Sequence, residues 1–247
     1  MEQQLLPMLL ALVAGSVGSV ALAALLLLLR PVKLQQVSGY LSDLAGGTLL
    51  GAAFLGMMPK AISMMPSATV MLVVLGGLVF FFVLEKLILW RSCGNKNCER
   101  HLQAAAPMIL IGDAFHNAID GIIIAASFLT SPEMGVFVTL SVIVHEIPQE
   151  LGDFGILIQS GMSKNKSLLY NALSGSTAIL SGVIAYFFMQ NMQGFIPYAL
   201  AFSAASFMYI ALAELIPVMH SKTSAGESIR QVLLILVGIL IIFLIKH

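Results

Sequence analysis

The chain has 247 residues, 59% of them hydrophobic and only 10% charged, with twelve basic and twelve acidic side chains that cancel. A soluble domain carries about 25% charged residues, so this composition excludes an ordinary soluble enzyme and points to an integral membrane protein. With no basic excess there is no footing for nucleic acid, and two cysteines, Cys93 and Cys98 in one short polar stretch, are too few for a disulfide framework.

Apolar runs bounded by Pro, Gly and charge predict eight transmembrane helices, at about 5–29, 38–59, 68–90, 106–129, 134–159, 167–190, 195–218 and 229–246. The first contains Ala21-Leu22-Ala23, which resembles a cleavage site, but it lacks a basic leader and its apolar run is too long for a signal peptide. It is expected to be a span. Small residues at Gly46, Gly47, Gly51, Gly175, Ser176, Gly182, Ser203 and Ser206 are expected where helices pack closely. The second and seventh spans, ending at Pro59 and Pro217, share a pattern: Ala53-Phe54-Leu55-Gly56-Met57-Met58-Pro59 against Ala211-Leu212-Ala213-Glu214-Leu215-Ile216-Pro217. Because one would run outward and the other inward, the likeness is that of an inverted repeat, with helices 1–3 and 6–8 flanking a central pair in a 3+2+3 arrangement. Residues 1–247 read as a single all-α transmembrane domain, and only the stretch at about 91–105 has a composition of its own.

Ten of the twelve basic residues, Arg30, Lys33, Lys86, Arg91, Lys96, Arg100, Lys164, Lys166, Lys222 and Arg230, fall on one predicted face, leaving Lys60 and Lys246 on the other. The positive-inside rule makes the first face cytoplasmic, which puts both termini outside a plasma (inner) membrane.

Spans four and five carry the chemistry. Asp113, His116, Asn117 and Asp120 lie at i, i+3, i+4 and i+7, within an arc of roughly 100° on a helix. In span five His145, Glu146, Gln149, Glu150 and Asp153 cover roughly 140°, and Pro148 is expected to kink the helix and free the carbonyl of Val144. An acid at mid-bilayer costs at least about 2.5–3.5 kcal/mol on insertion scales, so five carboxylates there need a partner. For a single His or Asn, hydrogen bonding between helices is explanation enough, but no Lys or Arg lies at this depth to satisfy the acids. A divalent cation is the simplest partner. With the stripes facing, His116, Asp120, His145 and Gln149 can converge on one ion, and Asn117, Asp120, Glu146 and Gln149 on a second beside it. Imidazole with carboxylate and amide oxygen suits zinc, iron(II) or manganese(II) better than magnesium or calcium, and this mixed set suits an ion that must leave again. Glu150 and Asp153 are expected at an exit or as proton acceptors. Cys93, Cys98 and His101 form a weak C-x4-C-x2-H spacing that reads first as a solvated linker. Glu85 is expected to pair with Lys86 or an interfacial base, and Glu214 either lines a path or makes a structural hydrogen bond.

The motifs His116-Asn117-x-x-Asp120-Gly121 and His145-Glu146-Ile147-Pro148-Gln149-Glu150-Leu151-Gly152-Asp153 resemble the ZIP (Zrt-, Irt-like) metal transporters, in the branch whose fifth helix reads HExPHExGD. The resemblance implies an eight-helix, homodimeric carrier in the lipid bilayer with a binuclear site between helices 4 and 5. It moves zinc, with iron, manganese or cadmium (Fe2+, Mn2+, Cd2+) as further substrates, into the cytoplasm, and has no prosthetic group. It carries over His116, Asp120 and His145 as ligands of the transport site and Asn117 and Glu146 as ligands of its neighbour. The sequence departs from the pattern at Gln149, where the family has a second His, and at Gly56, where many relatives have His and where Met57 or Met58 offers a thioether instead. It also lacks a histidine-rich run between helices 3 and 4.

The alternative is an intramembrane zinc metalloprotease, since His145-Glu146-Ile147-Pro148-Gln149 is one residue from HExxH. That motif needs two His a turn apart on an unbroken helix, and here Gln149 replaces one and Pro148 stands between them. A bare proton channel is disfavoured by the His and Asn.

Overall fold

The computed structural model describes residues 2–92, 98–220 and 224–246, with side chains at 4–87, 109–158, 160–213, 215–217, 219–220 and 224–245. Among these residues the chain forms eight helical spans. These are α1 (Glu2–Val13, a wide π turn at Ala14–Gly18, Ser19–Leu26), α2 (Pro31–Gly51, a π turn at Ala52–Met57, Met58–Met64), α3 (Ser67–Ser92) and α4 (Cys98–Thr130). They continue with α5 (Pro132–Gln159), α6 (Lys164–Gly175 and Thr177–Asn191), α7 (Ile196–Tyr209, a π turn at Ile210–Leu215, Ile216–His220) and α8 (Ala225–Lys246). Seven of them are long and apolar enough to cross a membrane. The other, α5, has the length at 28 residues but is diluted by its polar run from His145 to Asp153.

Three local expectations change. α2 starts at Pro31 rather than near residue 38, because a proline at the first helical position is preorganised and Lys33, Gln35 and Gln36 fit an opening turn. α2 and α7 do not end at Pro59 and Pro217 but run on to Met64 and His220. A proline ring collides with the carbonyl four residues back, here Leu55 and Ala213, and each of those lies inside a π turn that widens the backbone at that point. α5 likewise runs through Pro148 uninterrupted. Its start is capped as the sequence suggests, with Ser131 Oγ accepting from the Met134 N–H at 3.1 Å ahead of Pro132.

The helices pair in two sets, α1, α4, α5 and α6 on one side and α2, α3, α7 and α8 on the other, meeting along α2–α5 and α4–α7. Each pairing occurs twice. α8 lies on α2 as α3 lies on α7, and α6 lies on α4 as α1 lies on α5. The π turn of α2 packs on α7 while that of α7 packs on α2. This is the contact pattern an inverted repeat produces.

Backbone approaches hold these pairs. A Cβ at Gly47 would run into the Ile235 carbonyl, and one at Gly238 would lie 2.6 Å from the Leu44 carbonyl, so α2 and α8 touch main chain to main chain. On α4, Gly121 faces the Ala178 carbonyl, and Thr177 and Ser181 of α6 each donate at 2.7 Å to Ala114 and Ala118 carbonyls. Gly182 meets Leu12 as expected of a packing glycine, whereas Gly175 has ordinary room around it. At one end of the α2–α8 pair, Arg230 Nε and Nη2 each lie 3.1 Å from Asp43 Oδ2, with the guanidinium over the Tyr40 ring.

Candidate metal centre

α4 and α5 lie side by side, and their polar stripes face each other. His116 Nε2 is 3.2 Å from His145 Nε2, 3.3 Å from Glu146 Oε1 and 3.7 Å from Asp120 Oδ2. His145 Nε2 is 3.2 Å from Asp120 Oδ2 and 3.6 Å from Glu146 Oε1. Zinc bonds of about 2.0–2.1 Å set the edges of a coordination tetrahedron at about 3.3 Å, so these separations are those of four ligand atoms around one small dication.

The electrostatics agree with the geometry. His145, Asp120 and Glu146 are all at most 2% exposed, while His116 keeps a partly open edge at 17%. Neither oxygen of Asp120 nor of Glu146 has a hydrogen-bond partner. His145 Nδ1 lies 2.9 Å from the Ser141 carbonyl one turn earlier, which holds the proton of the neutral ring on that nitrogen and turns the Nε2 lone pair toward the carboxylates. Lone pairs facing lone pairs in a buried space repel, and a cation between them reverses the sign.

The structure redistributes the residues that the sequence singled out. Glu146, expected at the second ion, joins the first set. Gln149, expected in the first set, instead lines an adjoining cavity of about 200 Å³ with His116, Glu85 and Tyr209. In helix angle Gln149 is closer to His145 than Glu146 is, but it sits about 6 Å further along α5, beside the cavity lined by α3 and α7. Asn117 Nδ2 donates at 2.9 Å to Asp113 Oδ1 on its own helix, outside the four-atom group. Asp113 also accepts from Ser174 of α6 and lies with Glu146 and Glu150 in a second cluster of acids, all three buried. Glu150, expected at an exit or as a proton acceptor, is 1% exposed. The spacing Glu146/Glu150 at i, i+4, opposite Asp113 one turn before His116, was the available signal for that cluster. Asp153 is half-buried outside both groups.

Other expectations fare differently. Glu85 does not pair with Lys86, which lies over the Phe82 ring; it accepts the Tyr209 hydroxyl. Met57 is buried in the core and Met58 packs against it, so neither thioether is among the residues lining the cavity beside Gly56, whose space is filled by the Phe137 ring. Cys93 and the side chains of Cys98, His101 and Glu214 lie outside the described residues. Pro148 does not break α5, which is continuous, and so gives no ground against a protease. What sets this site apart from HExxH is that α4 supplies half of it.

Residues 91–246 match the family model described as ZIP zinc transporter. Among characterised proteins the chain is 36% identical over 152 residues to zinc transporter zipt-7.2 of Caenorhabditis elegans, covering 60% of this chain and 33% of that one. It is 39% identical over 145 residues to zinc transporter foi of Drosophila melanogaster (58% of this chain, 20% of that one). Over 223 residues it is 31% identical to zinc transporter ZIP13 of Pongo abelii (83% and 65%). The chain thus spans under two thirds of the length of these relatives. The family is one of transporters rather than enzymes, which removes the protease alternative. A match over more than half of the chain, on a membrane-spanning helical fold with a metal-grade cluster between its fourth and fifth helices, places the chain in the ZIP zinc transporter family.

Proposed function

We propose that the protein carries divalent transition-metal ions across the membrane, zinc first, through the site formed by His116, Asp120, His145 and Glu146. The observation that carries this reading is the set of four converging ligand atoms at 3.2–3.7 Å with both carboxylates otherwise unpartnered. A closed thiolate cage would hold zinc permanently, whereas two imidazoles and two carboxylates, one imidazole keeping an edge open to a cavity, bind it and release it. The same donors accept iron(II), manganese(II) and cadmium with lower discrimination. Gln149, at the cavity edge beside His116, supplies an amide oxygen on the way in or out, and Asn117 holds Asp113.

Uptake toward the cytoplasm, with both termini outside a plasma (inner) membrane, rests on the ten-to-two asymmetry of basic residues. Assembly as a homodimer rests on the resemblance alone. Purified protein in liposomes loaded with a zinc-sensitive dye is expected to show saturable influx that His145→Ala removes; influx no faster than in empty liposomes for zinc, iron(II), manganese(II) and cadmium alike refutes the reading. Orientation is read separately: an impermeant maleimide applied to intact cells should leave Cys93 and Cys98 unlabelled.

A further inference from the structure

The cavity beside the transport site contains a carboxylate that the four-ligand group does not use. About 200 Å³ in volume, it is walled by α3, α4, α5 and α7, and His116 and Glu85 both line it. A water takes up about 30 Å³ of the liquid, so there is room here for a cation with several waters. His116, the one ligand of the four with an open edge, is the boundary between this space and the metal centre. Gly112 and Gln149, on the same wall, lie about 6 Å from His116 and His145 along their helices, toward the α3–α4 and α5–α6 connections. Those connections carry Arg91, Lys96, Arg100, Lys164 and Lys166 or are flanked by them, so the cavity leaves the site on the basic face.

Glu85 is the one acid of α3, on a helix otherwise made for lipid. Its Oε2 accepts the Tyr209 hydroxyl, and among the described residues no Lys or Arg forms an ion pair with it, Lys86 lying over the Phe82 ring. A neutral hydroxyl fixes a carboxylate without cancelling its charge. Tyr209 is itself set by the Phe81 ring at 6.1 Å, which packs on Phe202 at 5.1 Å, so the acid is held at the cavity wall by an aromatic row. We propose that Glu85 receives the cation as it leaves His116 and passes it toward the basic face, with Tyr209 as its positioning residue. An ion that quits two imidazoles and two carboxylates for a largely apolar space loses its negative partners together, and Gln149 offers dipole but no charge. A single carboxylate across the cavity supplies that charge, and by itself binds too weakly to stop the ion. It comes from α3, outside the helix pair that builds the site, and the family resemblance assigns no ligand there.

This role rests on the transport reading, and the test keeps the two apart. Full-length protein in dye-loaded liposomes is assayed for zinc influx, with zinc affinity measured separately in detergent and folding read from melting. Glu85→Gln, which still accepts the Tyr209 hydroxyl, should lower maximal influx by roughly 10-fold or more while zinc affinity stays as in wild type. Tyr209→Phe, which keeps the charge, should cost less. In a Cys93→Ser/Cys98→Ser background, Glu85→Cys is alkylated before reconstitution with iodoacetate, which restores a carboxylate, or with iodoacetamide, which leaves an amide of the same shape. Only the carboxylate should recover influx. Glu85→Gln that transports as wild type, Tyr209→Phe that costs as much, zinc affinity lost along with influx, or equal influx after the two alkylations each overturns the role of Glu85. Wild type that takes up no zinc refutes the transport reading instead.

Discussion

Replacing Asp120 by Asn keeps the shape of the side chain and removes one negative charge from the centre of the transport site. In the metal-free protein that charge has no hydrogen-bond partner and is 1% exposed, with the bare Nε2 of His145 at 3.2 Å. Taking it away relieves a buried, uncompensated carboxylate, so metal-free Asp120→Asn should melt no lower than wild type. With zinc the sign reverses. Two unit charges about 4 Å apart attract by about 4 kcal/mol at an effective dielectric of 20, and the dication sits closer and carries twice the charge. At least that much is lost, which is roughly a thousandfold in affinity. A ligand at a hundred times its dissociation constant stabilises by about 2.7 kcal/mol, so wild type should show a zinc-dependent rise in melting temperature that Asp120→Asn lacks at the same zinc concentration. The assay is a pair of melts, with and without zinc, alongside liposome influx. Should the variant gain the wild-type zinc increment and transport normally, the metal path does not run between α4 and α5.

Three further outcomes are expected. Gln149→His places an imidazole beside His116 and should shift the zinc-to-manganese preference toward zinc while slowing turnover, measured by competition influx. Gly47→Val drives a side chain into the Ile235 carbonyl and should prevent stable folding, whereas Gly76→Ala, at a position open on all sides, should raise stability by up to about 1 kcal/mol through helix propensity, read from melting. Arg230→Ala strips Asp43, 3% exposed, of its guanidinium and should destabilise by an amount at or below the low end of about 3–5 kcal/mol, since a quarter of the Arg230 side chain stays in solvent.

Helix number and the two polar stripes were legible because both follow from periodicity: Asp113, His116, Asn117 and Asp120 share one face whatever the rest of the chain does. The division of labour inside the stripes was not. Whether Glu146 or Gln149 meets His116 depends on the rotation of α5 about its own axis, which is set by contacts with α2 and α1 far away in sequence. The sequence also says that Pro59 and Pro217 cannot sit in a regular α-helix, but not whether the chain ends there or widens. It widens, at Ala52–Met57 before Pro59 and at Ile210–Leu215 before Pro217. Tyr209 as the partner of Glu85 was out of reach, being a contact between α3 and α7 with no local signature.

The π turns at Ala52–Met57 and Ile210–Leu215 bear on how the gene can change. A π turn closes its hydrogen-bonded ring over one more residue than an α turn, so it stores an insertion without passing it on to the flanks. Deleting one residue there would return α2 to a regular helix with its flanks still in register, so Ala61 would stay on its buried face and Lys60 beside Glu133. What it would remove is the room that the wide turn gives the Pro59 ring over the Leu55 carbonyl. A single-codon deletion within 52–57 therefore costs about what an interior proline costs, while one in the regular turns on either side rotates everything beyond it by about 100°, and α7 has the same asymmetry at 210–215.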